Sequence, residues 1–415
     1  MIKLKPTSIL PVLAWSFYDL ANQFFALNVI SLHFPRWISV EKGAPEIYFS
    51  LSFGISMFMV ALCAPFLGMI SDMKNWRRLF LGLFTIVAVI FTIAMGFAKG
   101  IFLPLVLFAI ANFGCQEAVV FYNALLTRVA PREKVGLVSG FGMMLGYIGA
   151  IVALLFTKPV IVEMGYKGTF IFTGIFFFLF ALPCLIFVRD EKPPEKMELS
   201  FFLKKSSLQE IYAKFRETLT EAEHFKGLKH LLKASFFLLC FVNAIILFMS
   251  VYAVKVFGLK EGQIIDLMAF SAFFAVLGSI LSGYLSDIVG YGRSLVAIFL
   301  MWACCIITGG LLGPPWHWLV GALAGTCIGS TWVVLRAMVV RLVPREKVGE
   351  AFGLFNLVSY FSGIAGPVFF GVMLFFFSRL GVAGYRISFM SMLIFMIGGL
   401  YFLLSKKPEK TREVF

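Results

Sequence analysis

The chain has 415 residues, 60% hydrophobic and 14% charged, with a mean hydropathy of +0.93 and a formal net charge of +14. Soluble domains carry roughly 25% charged residues, so this much apolar surface has no aqueous core to hide in and must be solvated by lipid. The basic residues lie in short loops rather than along one soluble face, which excludes nucleic acid as a partner and leaves the lipid bilayer.

In chain order, apolar segments run over about 9–37, 46–70, 77–98, 100–129, 136–158, 166–188, 233–257, 263–286, 292–313, 315–343, 348–378 and 383–404. Each exceeds the roughly 20 residues that cross a bilayer. They lack the alternation of barrel strands, and helices satisfy their own backbone in hydrocarbon. The predicted fold is therefore an all-α membrane protein with twelve transmembrane helices. Most of the 36 Lys and Arg fall on the side that holds the N terminus. That bias places both termini in the cytoplasm of a multi-pass cell (inner) membrane protein. The opening MIKLKPTSILPVLAWSFYDL lacks a small-residue cleavage site and is expected to be a retained first helix.

The longest polar stretch separates six spans from six. The expected domains are a six-helix bundle at 1–188, a cytoplasmic linker at 189–232, a second bundle at 233–405 and a tail at 406–415. Within the linker, Ser207 and Glu210 have capping-box spacing ahead of Leu208, Ile211, Tyr212, Phe215 and Leu219. That pattern predicts an amphipathic surface helix, either packed on the bundle or regulatory.

Two motifs occur twice. PREKVG stands at 131–136 and again at 344–349, and GMISDMKNWRR at 68–78 is echoed by GYLSDIVGYGR at 283–293. The near-equal offsets make the two six-helix sets copies of one unit. Each copy crosses the membrane an even number of times, so the copies are parallel repeats, the architecture of major facilitator transporters. Both motifs lie where helices leave the membrane. Asp72, Arg77, Arg128 and Arg132 in the first copy, and Asp287, Arg293, Arg341 and Arg345 in the second, are candidates for a cytoplasmic gate. A carboxylate there can pair with an Arg or cap a helix N terminus; the alternative is that these charges anchor the loops.

Ionisable groups inside spans are costly and therefore functional candidates. Helix one carries Asp19, Asn22 and Gln23 within about 60° of one another at 100° per residue. Helix four places Asn112, Gln116, Asn123 and Thr127 on one arc with Glu117 at its flank. Helix ten carries Arg336 on the face of Gly325, Gly329 and Trp332, and helix seven offers Asn243, Ser250 and Tyr252. In parallel repeats the first and fourth helices of each half line a central cavity, so these residues are read as binding a small polar solute. Arg336 suits an anionic group, and Asp19 a cationic group or a coupling proton. The competing reading is a structural ion pair between them, and Glu117 stays open between a cavity role and a buried helix contact.

The remaining features read as structure. Gly142 and Gly146, and Gly321, Gly325 and Gly329, have the spacing of close helix packing, a pattern that small residues facing a cavity would share. The runs FIFTGIFFFLF and FFFSRL read as lipid-facing, and His33 and His317 as interfacial. The seven cysteines sit in apolar runs without ligand spacing and read as small hydrophobes. No nucleotide-binding, metal or nucleophile motif is present, so no cofactor, metal or catalytic residue is expected. A monomer is expected.

WSFYDLANQFF in helix one, VFYNALLTRVAPREKVGLVSGFGMMLGYIG across helices four and five, and FGLFNLVSYFSGIAGP in helix eleven resemble the unknown major facilitator family. Its relatives include the fungal vacuolar amino-acid effluxer linked to autophagy. The resemblance covers nearly the whole chain. It implies the facilitator fold, a secondary active transporter, and export of amino acids or similar solutes. The family motifs map onto Tyr18, Asp19, Ala21 and Asn22, onto Phe121, Tyr122 and Asn123, and onto Arg336. One departure stands in helix seven: where the family often carries Asp-Gly, this chain has FVNAII with Asn243. The alternative function is a non-transporting membrane receptor or scaffold that keeps the fold.

Overall fold

The computed structural model describes residues 9–44, 46–190, 226–259 and 261–405. The expected linker helix around Ser207 and Glu210 and the 406–415 tail lie outside them. Every regular element among the described residues is helical. The helices are α1 (Ile9–Phe25), α2 (Glu46–Lys74), α3 (Arg77–Met95) and α4 (Phe102–Ala124). The run Val135–Phe187 is broken at Gly165, whose φ of 67° and ψ of −169° no helix accommodates; its arms before and after that glycine are α5 and α6. The second copy comprises α7 (Lys226–Phe257), α8 (Glu261–Val289), α9 (Tyr291–Leu311), α10 (His317–Leu342), α11 (Val348–Phe377) and α12, which runs Val382–Ser391 and continues as Leu393–Leu404.

Eleven helical stretches among the described residues are long and apolar enough to cross a membrane. The first predicted span is the exception. Its α-helical part is 17 residues long and passes into wider π-helical turns at Ala26–Leu32 and Trp37–Glu41. At the first of these turns the buried Asn28 donates its Nδ2 to Thr173 Oγ1 at 3.1 Å.

The repeated hexapeptides fold identically. In each, the proline stands outside the helices, Arg-Glu-Lys forms a 3-10 turn (Arg132–Lys134, Arg345–Lys347), and the following valine opens a long helix. Pro344 is extended at φ −60°, ψ 154°; lacking an N–H and fixed in φ, proline stops one helix and leaves room to start the next.

Contacts divide the chain into two compact units. Unit 1 is Met1–Glu133, Leu145–Thr220 and Pro344–Leu357; unit 2 is Lys134–Met144, Glu221–Val343 and Val358–Phe415. These are not the two halves read from the repeat, because the opening of α5 groups with unit 2 and the opening of α11 with unit 1. In unit 1 the two family motifs meet: Tyr122 of α4 stacks on Trp15 and Tyr18 of α1, with ring centroids 4.6 and 4.8 Å apart. Trp15 Nε1 donates to the Tyr122 carbonyl at 2.9 Å, and the hydroxyls of Tyr18 and Thr85 bond at 2.6 Å. In unit 2, Trp302 Nε1 donates to Thr331 Oγ1 and Tyr252 to the Gly309 carbonyl.

The Phe-rich runs divide. Phe375 and Phe376 are exposed, as a lipid-facing surface requires. In FIFTGIFFFLF, however, Phe170 and Phe177 are fully buried, packed on Trp37 and Tyr18. A helix with apolar residues all round gives no sequence signal for which face turns inward. His33 is likewise buried against protein, with Tyr166 across from its ring.

Candidate functional site

The two repeated motifs lock onto one another, each copy's carboxylate on the other copy's helix. In unit 1, Asp72 at the end of α2 accepts the N–H of Glu350 at 3.0 Å and that of Gly349 beside it. It thereby caps the first turn of α11. In unit 2, Asp287 near the end of α8 accepts the N–H groups of Gly136 at 3.0 Å and Leu137 at 2.8 Å, capping α5. Both caps satisfy otherwise unpaired donors and set negative charge against the positive end of the helix dipole.

Glycine makes the approach possible. A Cβ on Gly349 would stand 2.6 Å from Asp72 Oδ1 and 2.9 Å from the Gly68 carbonyl; one on Gly136 would stand 2.6 Å from the Gly283 carbonyl. Gly68 and Gly283 open the two aspartate motifs, and Gly136 and Gly349 close the two hexapeptides. The matched glycine positions were visible in the repeats, although their pairing was not.

Charge compensation differs between the copies. Asp72 has Arg77, which is 3% exposed: Nε meets Oδ1 at 2.7 Å, and Nη2 donates to the Arg345 carbonyl. The second copy has Gly292 at the position of Arg77. There Tyr291 donates its hydroxyl to Asp287, and the Arg341 guanidinium lies 5.5 Å over the Tyr291 ring. Arg128, the counterpart of Arg341, acts electrostatically on Asp190, which accepts the Arg78 N–H at 3.1 Å and caps α3. Arg132 and Arg293 are exposed. Arg345 enters the arrangement through its backbone. Sequence reasoning had not singled out Tyr291, Asp190 or the four glycines.

Inside the spans, Asp19 is 6% exposed, and Asn22 and Gln23 are half-buried. A Cβ on Gly146 would touch Asp19 and Gln23 at 3.4–3.5 Å, so this stripe of α1 runs along α5. The α4 residues separate. Asn112 is fully buried, and its Nδ2 donates to Ser56 Oγ of α2 at 2.7 Å, so the amide holds two helices together. Gln116 is half-buried, Asn123 is buried, and Glu117 is wholly buried. In unit 2, Asn243 Nδ2 donates to Ser362 of α11 at 3.3 Å. Trp332 is half-buried, and Arg336, 8% exposed, donates Nη2 to the Met143 sulfur at 3.3 Å. Gly325 and Gly329 press against the backbone of Ser271 and Ala275 on α8, so α10 packs closely on α8 at those two glycines.

A duplicated set of apolar helices, interlocked through repeated Asp and Gly motifs and carrying charges inside the spans, defines a membrane protein of facilitator architecture. The sequence pattern of the Major Facilitator Superfamily matches residues 20–367, with a second match over 234–414, and the chain belongs to that superfamily. It is 28% identical over 372 residues to an uncharacterized protein of Aquifex aeolicus, covering 89% of this chain and 91% of that protein. It is 25% identical over 421 residues to the uncharacterized MFS-type transporter YxiO of Bacillus subtilis, covering 96% and 95%. The structure of the proton:xylose symporter XylE superposes with a TM-score of 0.72 at 12% identity over 98% of this chain and 97% of that one, a likeness of fold.

Proposed function

We propose that this chain is a secondary active transporter that moves a small polar solute, an amino acid or related zwitterion, out of the cell by alternating access. The observation that carries the reading is two opposite charges buried within apolar helices, Asp19 on α1 and Arg336 on α10, 6% and 8% exposed. Such charges are expensive in hydrocarbon and persist where they do work. In this reading Asp19 suits a cationic group or a coupling proton, and Arg336 suits an anionic group. The B. subtilis relative, an uncharacterized MFS-type transporter, supports the transport class, and the resemblance to the vacuolar effluxer supports amino acids and export. In this reading the aspartate caps on α5 and α11 are latches of a cytoplasmic gate, released and remade once per cycle.

The test has two parts. A thermal-shift screen of the purified protein against amino acids, sugars and organic anions identifies the ligand, because a bound ligand raises stability by mass action. Flux of that ligand into sealed proteoliposomes then follows, with Asp19→Asn and Arg336→Ala expected to abolish it while the protein still folds. Wild-type flux in both variants refutes the assignment, and no flux of any solute favours a receptor or scaffold.

A further inference from the structure

We propose that Glu117 is the proton-carrying carboxyl of this transporter, a statement that rests on the transport reading above. Glu117 is wholly buried in α4, and neither of its oxygens has a hydrogen-bond partner among the described residues. Asp19, by contrast, engages in a polar or electrostatic interaction, as a solute-binding group held in readiness would.

The surroundings follow from the neighbours of Glu117 on α4. One turn away on either side, Phe113 and Phe121 pack on Phe84 of α3, and Gly114 lies against Phe84 and Ala88. Asn112 ties α4 to α2, while Tyr122 stacks on α1. Glu117 therefore points into the apolar seam that α4 makes with α2 and α3. The titratable group of α2 within electrostatic reach is Cys63. Beyond Arg77 and Arg78 at its start, α3 carries none. Tyr18 and Asp19 belong to α1, and Cys115 of α4 acts on Tyr18. At the entry to α11, Arg345 and Glu350 stand at the Asp72 end of α2.

An ionised carboxylate without a partner is not sustained in such a seam, so Glu117 keeps its proton there. When water enters, the O–H bond breaks, the electron pair stays on the carboxylate and the proton passes to water. Closure requires the group to take a proton back. The latch is linked to this event, because Asp72 ends α2 and Arg77 begins α3, the two helices that flank the seam with α4. Releasing the Asp72 cap frees the turn that holds them.

Infrared spectroscopy of the purified full chain in lipid nanodiscs at neutral pH tests the assignment. A protonated-carboxyl band is expected that shifts in deuterated water, disappears in Glu117→Gln and persists in Asp19→Asn. Its absence from the wild type, its persistence in Glu117→Gln, or its failure to shift overturns the proposal. In proteoliposomes, a mixture of the twenty amino acids should drive proton movement in the wild type. Glu117→Gln should lose that movement yet still exchange labelled amino acid, and equal proton movement in both overturns the role. Unchanged melting of Glu117→Gln, with Glu117→Leu at or above wild type, separates this role from a structural one; a large loss in both overturns it. If amino acids move nothing, the solute reading fails by itself, and the deuterium shift still decides Glu117.

Discussion

Asp72 accepts the backbone N–H of Glu350 at 3.0 Å, although the two residues belong to different copies of the repeat. Asp287 returns the arrangement on Gly136 and Leu137. A motif that caps a helix in the other copy must be kept in both, which accounts for the duplicated PREKVG better than loop anchoring does.

The two caps should differ in what their loss costs. Asp72→Ala strands the buried Arg77, and breaking a buried pair costs about 3–5 kcal/mol. Asp287→Ala removes a cap supported by a tyrosine and costs about 0.5–2 kcal/mol. Thermal unfolding in detergent should show the larger fall for Asp72→Ala; equal falls would mean that Arg77 finds another partner.

Two glycines of α2 should respond with opposite signs. Gly68→Ala drives a methyl into the Gly349 backbone, an overpacking that costs about 1–3 kcal/mol. Gly54→Ala meets nothing within 4 Å and should gain about 0.5–1 kcal/mol from the helix backbone. Melting temperatures of the two variants check this directly.

Trp15→Phe should keep the stack on Tyr122 and lose the bond to its carbonyl, at about 1 kcal/mol. Trp15→Ala should cost about 3–5 kcal/mol through the cavity it leaves. Chemical denaturation of the pair separates the hydrogen bond from the ring.

Asp190 sets a pH dependence. Burial raises its carboxyl above the ordinary value of 3.8, partly opposed by the Arg78 N–H and the charges of Arg77, Arg128 and Arg78. A raised value means that the folded chain holds the proton more tightly than the unfolded one. This contribution is fully present below 3.8 and is lost as pH rises through the folded value. Asp190→Asn should flatten the melting-temperature profile in that window; an unchanged profile would show that Asp190 is solvated.

The apolar runs, their number and their duplication were legible along the chain because lipid allows few spanning structures and leaves long uninterrupted signals. The motifs also drew attention to Asp72, Arg77 and Asp287 at the helix ends. Only tertiary structure decided their partners, because a cap depends on which helix start comes within 3 Å of a carboxylate, and linear spacing carries no such information. The polar stripe of α4 shows the same limit. Asn112, Gln116 and Glu117 looked alike as polar residues in an apolar helix, yet packing tied Asn112 to Ser56 and left Glu117 without a partner among the described residues. Periodicity orients a side chain about its own helix axis, whereas its energy depends on what the neighbouring helices place opposite it.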